Sequence, residues 1–257
     1  MARWRGFPTT VPAARARADI ARYLASERKA GRDRAPVIIE GRTIASSFWG
    51  RAWCDNLEAY SDFASRLPRG RTYVRRGAVV HLEIGAGRVH AVVSGNDRYD
   101  VSATIDPLDE TAWARIVAAC AGRIDSRLSL LRGELSDDVM TIVTRPGEGL
   151  FPRPEEMRFT CTCPDWAIMC KHVAAALYGV GARLDQAPAS LFELRDVDPA
   201  PLFRQALAQT VTRDDDAAPG AHRRLEHPDL SALFGIPIEE RASAARKRRA
   251  KRAAHKK

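Results

Sequence analysis

Residues 80–105, VHLEIGAGRVHAVVSGNDRYDVSATI, decide the fold. Val80, Leu82 and Ile84 alternate with His81 and Glu83, the two-residue period of a strand with one buried face. Gly85-Ala86-Gly87 turns the chain, and Val89, Ala91 and Val93 resume the alternation. Ser94-Gly95-Asn96-Asp97 makes a second turn before Tyr99, Val101, Ala103 and Ile105. Three such runs joined by Gly/Asn turns predict an antiparallel meander. Thr72–Arg75 is expected to add an edge strand.

Helical spacing flanks this core. Ser46-Ser47 offers an N-cap to Phe48, Trp49, Ala52, Trp53, Asn56, Leu57 and Tyr60. Leu67-Pro68-Arg69-Gly70 reads as a break. From Asp109 the 3.6-residue period returns with Trp113, Ile116, Val117 and Cys120. It continues through Ile124, Leu128, Leu131 and Leu135, then Val139, Ile142 and Val143. The fold class expected is α+β, a small antiparallel sheet with flanking helices.

The expected organisation is a basic flexible arm over 1–42 and an α+β domain over 43–156. A cysteine-rich unit with its following helices covers 157–211. A linker with a short docking segment covers 212–240, and a disordered basic tail 241–257. In the arm, Arg17–Lys29 has helical spacing with Ile20, Tyr23 and Leu24 on one face. The 257 residues carry 41 Lys+Arg against 32 Asp+Glu, a formal charge of +9. Residues 241–257 hold nine bases and no acid, so residues 1–240 are neutral overall. No run approaches 18 uninterrupted apolar residues and no apolar leader follows the first arginines, so a cytoplasmic protein without a spanning helix is expected, with association to the nucleoid open to it. Five cysteines are too few for a disulfide scaffold.

Three of those five fall in FTCTCPDWAIMCKH, residues 159–172. Cys161, Cys163, Cys170 and His172 form Cys-x-Cys, six residues, Cys-x-His. These are the ligand types zinc takes, in two close pairs able to close a tetrahedral shell. The first pair suits a short extended segment. The second suits the start of the helix that Val173–Tyr178 predict, running to about Gly179. There the positive helix end favours thiolate. A Cys161–Cys163 disulfide would be strained, and an iron–sulfur cluster ordinarily takes cysteine where His172 stands. A three-cysteine, one-histidine shell leaves no open position for water, so the site is expected to be structural. His81-Leu82-Glu83 lacks the Pro-Cys-x-x-Cys of a zinc deaminase, and no His-Glu-x-x-His occurs. With no triad spacing, phosphate loop or acid pair, no enzymatic activity is expected. Chelation is expected to unfold the cysteine-rich segment and spare the meander.

The string Cys161-x-Cys163-Pro164-Asp165-Trp166, then Cys170-x-His172 with a small-residue helix behind it, resembles the SWIM zinc finger over roughly residues 157–180. A weaker resemblance covers residues 47–106. There Phe48-Trp49-Gly50-Arg51-Ala52-Trp53 and Arg66–Arg75 are similar to the N-terminal part of bacterial SWIM finger proteins. Phe48 stands where those proteins commonly have Trp. The resemblance implies a zinc-binding module for DNA or protein contacts, without catalysis, and a Swi/Snf-type helicase as a partner.

Nucleic-acid contacts are expected from two basic segments. One is Arg66, Arg69, Arg71, Arg75 and Arg76, with Tyr73 among them as a base-stacking ring. The other is the tail, with Arg246, Lys247, Arg248, Arg249, Lys251 and Arg252. Binding is expected to be non-specific. The alternative is an adaptor that docks on a Swi/Snf-type helicase with no DNA surface on its folded part. Acids such as Asp55, Glu58 and Asp62 are the competing partners for the arginines. Trp49, Trp53 and Trp113 are expected in the core, Trp166 over the metal site, and Cys54 and Cys120 as buried thiols.

Overall fold

A computed structural model of the chain describes residues 13–60, 64–121 and 137–202. All lie in the first of two units into which the chain divides, 1–213 and 214–257. The elements are α1 (Ala13–Lys29), α2 (Phe48–Glu58), α3 (Leu67–Arg75), β1 (Val79–Gly85), β2 (Arg88–Ser94) and β3 (Arg98–Ile105). They continue with α4 (Glu110–Cys120), α5 (Asp137–Val143), β4 (Met157–Cys161), α6 (Lys171–Leu184) and α7 (Ser190–Leu194).

The meander forms as the alternation predicts. The sheet is antiparallel in the order β1-β2-β3-β4. Gly85 pairs with Arg88 across a two-residue turn whose second residue, Gly87, has φ +63, the left-handed conformation such tight hairpins need. The fourth strand is not Thr72–Arg75 but Met157–Cys161, which pairs with β3 from Val101↔Cys161 to Ile105↔Met157. Thr72–Arg75 lies in α3 instead. Pro68 stands in the first turn of that helix, where its missing N–H costs nothing, so the residues read as a break are a helix start.

One helix organises the interior. α6 packs against α2, α3 and all four strands, and twelve of its fourteen residues are buried, from His172 to Leu184. It runs five residues past the expected Gly179 because Gly179 and Gly181 are contact points here and do not end it. A Cβ on Gly181 would meet Cys54 Sγ at 2.7 Å, and one on Gly50 would strike the Gly181 carbonyl, so α2 and α6 touch backbone to backbone. Trp53 Nε1 donates to the Leu177 carbonyl at 2.8 Å across this contact. Asp185, just past α6, accepts from the backbone N–H and hydroxyl of both Ser46 and Ser47. Ser47 in turn accepts from the Gly50 N–H as the N-cap of α2. Burial raises the Asp185 carboxyl, but these four donors outweigh it and hold the group below its usual range.

Trp49 and Trp113 both meet Phe192 of α7 edge-on, and Trp53 meets Phe151, placing these tryptophans in or against the core as expected. Asp109 caps α4 by accepting from the Thr111 and Ala112 N–H groups. Ile124, Leu128, Leu131 and Leu135 lie outside the described residues, as do Asp62, the linker with its docking segment, and the basic tail.

The arm expected at 1–42 is not loose over its described part. Ile20 and Val37 are buried. The Val37 N–H donates to the Val79 carbonyl at 3.0 Å and the Leu82 N–H to the Ala35 carbonyl at 2.9 Å, so residues 35–37 cover the free edge of β1. Buried Glu27 takes Arg32 and Arg34. Nor is the cysteine-rich segment a separate unit, since β4 belongs to the sheet and α6 to its core.

Candidate metal centre

The four expected ligands converge because two elements of the core aim them. β4 ends at Cys161, with Cys163 just beyond it, and α6 begins at Lys171, with Cys170 at its N-cap and His172 in its first turn. Their ligand atoms all lie within 4.8 Å of one another. His172 Nδ1 lies 3.8 Å from Cys161 Sγ and 3.9 Å from Cys170 Sγ. A tetrahedral zinc with ordinary bond lengths would set sulfur and nitrogen about 3.6 Å apart. These two pairs are therefore a few tenths of an ångström wider than in a closed shell, and three sulfurs with one imidazole nitrogen are the set zinc takes. The residues fit the ion.

His172 reaches the cluster through Nδ1, while Nε2 is buried with no partner among the described residues. The ring is sandwiched by aromatics. Tyr99 stacks on it at 4.3 Å, and Tyr73 meets it edge-on at 5.3 Å. Tyr99 shares the inner face of β3 with Val101 and Ala103. The alternation already placed it inward, but what it would meet depended on the pairing of β4. The Cys170 thiol is held far below its ordinary value, first by the hydrogen bond from Cys161, against burial, then by His172 and the Val173 N–H. Cys161 is raised by donating to Cys170 and by burial. Cys170 stands at the positive end of α6, which favours its thiolate. Cys54 is pushed up to about 12, by burial first and then by Glu58 and Asp55, which makes it an inert packing thiol; Cys120 is buried.

A second group, His81, Glu83 and His90, also gathers within 4.8 Å. The Ala35 N–H donates to His81 Nδ1 at 3.1 Å, which places the ring proton on Nε2, the atom 3.9 Å from Glu83. That nitrogen carries the ring proton and offers a metal no lone pair.

Two aromatic expectations are corrected. Trp166 does not pack over the metal: it is 94% exposed. It stands on the segment between the two ligand pairs, where even-numbered residues point outward and Met169 turns into the core. Tyr73 is not a free stacking ring, because its face is covered by Arg76 at 3.7 Å and its edge by His172.

The α3 arginines divide. Arg71 pairs with Glu58 and donates to the Tyr178 hydroxyl at 3.3 Å, as the competing reading of the acids held. Arg66 reaches Asp165 at 3.4 Å, an acid of the finger that the sequence did not connect to it. Arg69 and Arg75 are exposed and pair with no acid among the described residues. Arg246, Lys247, Arg248, Arg249, Lys251 and Arg252 lie outside the described residues. Among the described residues, no helix is long and apolar enough to cross a membrane.

A strand-end pair and a helix-start pair closing one four-donor shell define a zinc-finger protein, with the finger built into an α+β core. The SWIM zinc finger model matches residues 156–180, and the chain carries that domain. The chain is homologous to an uncharacterised protein of Mycobacterium tuberculosis, Rv2102, with 32% identity over 181 residues. The match takes in 69% of this chain and spans 64% of the length of that relative. No solved structure matches the chain.

Proposed function

We propose that this protein is a nucleic-acid-associated accessory factor. Cys161, Cys163, Cys170 and His172 hold a structural Zn2+, and arginines beside the finger grip phosphate without reading sequence. The observation that carries this reading is the pair of exposed guanidiniums, Arg69 and Arg75, on the helix packed directly against α6. Zinc supplies folding energy here and no chemistry, because all four positions of its shell are protein ligands. The tail, with nine bases in its seventeen residues, adds phosphate contacts of the same kind.

The test is binding of the full chain to duplex DNA across a salt series, beside the chain lacking 241–257 and an Arg69→Ala/Arg75→Ala variant. Each lost phosphate contact flattens the log K against log salt slope by about 1. A slope reduced by about 2 in the double variant, and residual binding by the truncated chain, support the reading. Loss of all binding on truncation, with no effect of the arginine substitutions, overturns it in favour of an adaptor that docks on a Swi/Snf-type helicase.

A further inference from the structure

Ile38, Trp166 and Ile168 are the large hydrophobic side chains exposed among the described residues, and two of them stand on the finger between its ligand pairs. Trp166 is 94% exposed and Ile168 81%. This segment is not a loose loop. Cys163 and Cys170 anchor its ends and Met169 is buried beneath it. Asp165 Oδ1 accepts from the Ala167 N–H at 3.2 Å and from Arg66 at 3.4 Å, tying the tip to the start of α3. The outward row Thr162, Pro164, Trp166, Ile168 continues the exposed positions of β4. An indole is thus held out into water by a scaffold in which every other Phe, Tyr and Trp ring among the described residues is buried or half-buried.

The surroundings identify what the indole meets. Arg66 begins α3, and Arg69 lies one helical turn further on the same surface. Lys171 follows the third ligand, and α3 contains no acid. A protein partner needs roughly 800 Å² from each side, and two side chains of this size offer on the order of 400 Å². An aromatic face bordered by cations, with Arg69 and Lys171 in no ion pair with an acid among the described residues, matches a nucleobase with its phosphates. Duplex bases are already stacked on both faces, so the base has to come from a single strand.

We infer that Trp166 is a stacking platform for an unpaired base of single-stranded nucleic acid, with Arg69 and Lys171 placed for the flanking phosphates. This rests on the nucleic-acid reading above and narrows it to single strands. The test uses the full zinc-loaded chain with fluorescent oligothymidylate of about 20 nucleotides and a duplex of equal length. Wild type is compared with Trp166→Ala and Trp166→Phe, with zinc content and the thermal melt as controls on folding. Trp166→Ala is expected to weaken single-strand binding by about 5- to 150-fold, to leave the salt slope unchanged and to change duplex affinity less than about 2-fold. Trp166→Phe is expected to retain most of the affinity. Unchanged single-strand affinity in Trp166→Ala, while wild type binds DNA, overturns this inference alone and leaves the tip to a protein contact. Failure of wild type to bind either probe overturns the underlying reading as well.

Discussion

Gly70→Ala tests the packing of the core by the sign of its effect. In an isolated helix this change stabilises by about 1 kcal/mol, because alanine loses less backbone entropy than glycine. Gly70 sits in α3 at its contact with α6. A Cβ there would strike the Ala174 side chain and come within 2.8–2.9 Å of the Ala174 carbonyl carbon and Ala175 nitrogen. Backbone atoms in the middle of a helix buried on every side cannot move aside, so the two helices must separate. Overpacking of this kind costs about 1–3 kcal/mol, occasionally more. With all three contacts under 3 Å the cost falls in the upper part of that range, so the net change is a destabilisation of about 1–2 kcal/mol, a fall in Tm of roughly 2–8 °C for a domain of this size. The assay is thermal and urea unfolding of the zinc-loaded protein. Ala174→Gly in the same chain removes the nearest of the three contacts, and the double variant should recover part of the loss beyond additivity. A Tm for Gly70→Ala equal to or above wild type would refute the close α3–α6 contact.

Metal analysis of fully reduced protein should find one zinc per chain and not two, because the His81–Glu83–His90 group presents a proton where a metal needs a lone pair. Chelation should abolish the cooperative melt of the whole sheet, since zinc contributes about 10–16 kcal/mol in finger peptides against a total stability of about 5–15 kcal/mol. A sheet that survives chelation, watched by far-UV circular dichroism, would restore the simpler expectation of local unfolding. Arg195 is 1% exposed, donates to the Asp106 carbonyl at 2.8 Å and to Glu156 at 3.0 Å; Arg195→Ala should cost about 3 kcal/mol in urea unfolding. Glu27 is lowered to about 2, by Arg32 first and, against burial, Arg34. A depressed carboxyl stabilises above its unfolded value and loses that contribution as pH falls from 4.5 towards 2. Hydrogen exchange at α1 and residues 32–37 should therefore quicken over that range, and Glu27→Gln should remove the dependence.

The meander was legible because its signal is local: a period of two cannot be satisfied by a helix, and Gly/Asn turns set its register. The metal ligands were legible because four donors within twelve residues have few other uses. The α3 helix was misread because Pro and Gly carry two meanings. Pro68 opens a helix as well as ending one, and Gly70 and Gly181 serve close packing that no local rule reveals. Trp166 was misplaced because hydrophobicity alone argues for burial, whereas the ligands on either side of it fix which way the segment faces.

The sequence by itself determined the class of fold, the donor set, the helix that follows it and the neutrality of residues 1–240, all properties of neighbours along the chain. Only the tertiary structure decided that the finger supplies the fourth strand and the central helix of the core. The same holds for the sorting of the α3 arginines into paired and exposed, and for an indole left facing solvent. Strand pairing, helix crossing and charge pairing join residues tens of positions apart, and chain periodicity carries no record of which partner each of them meets.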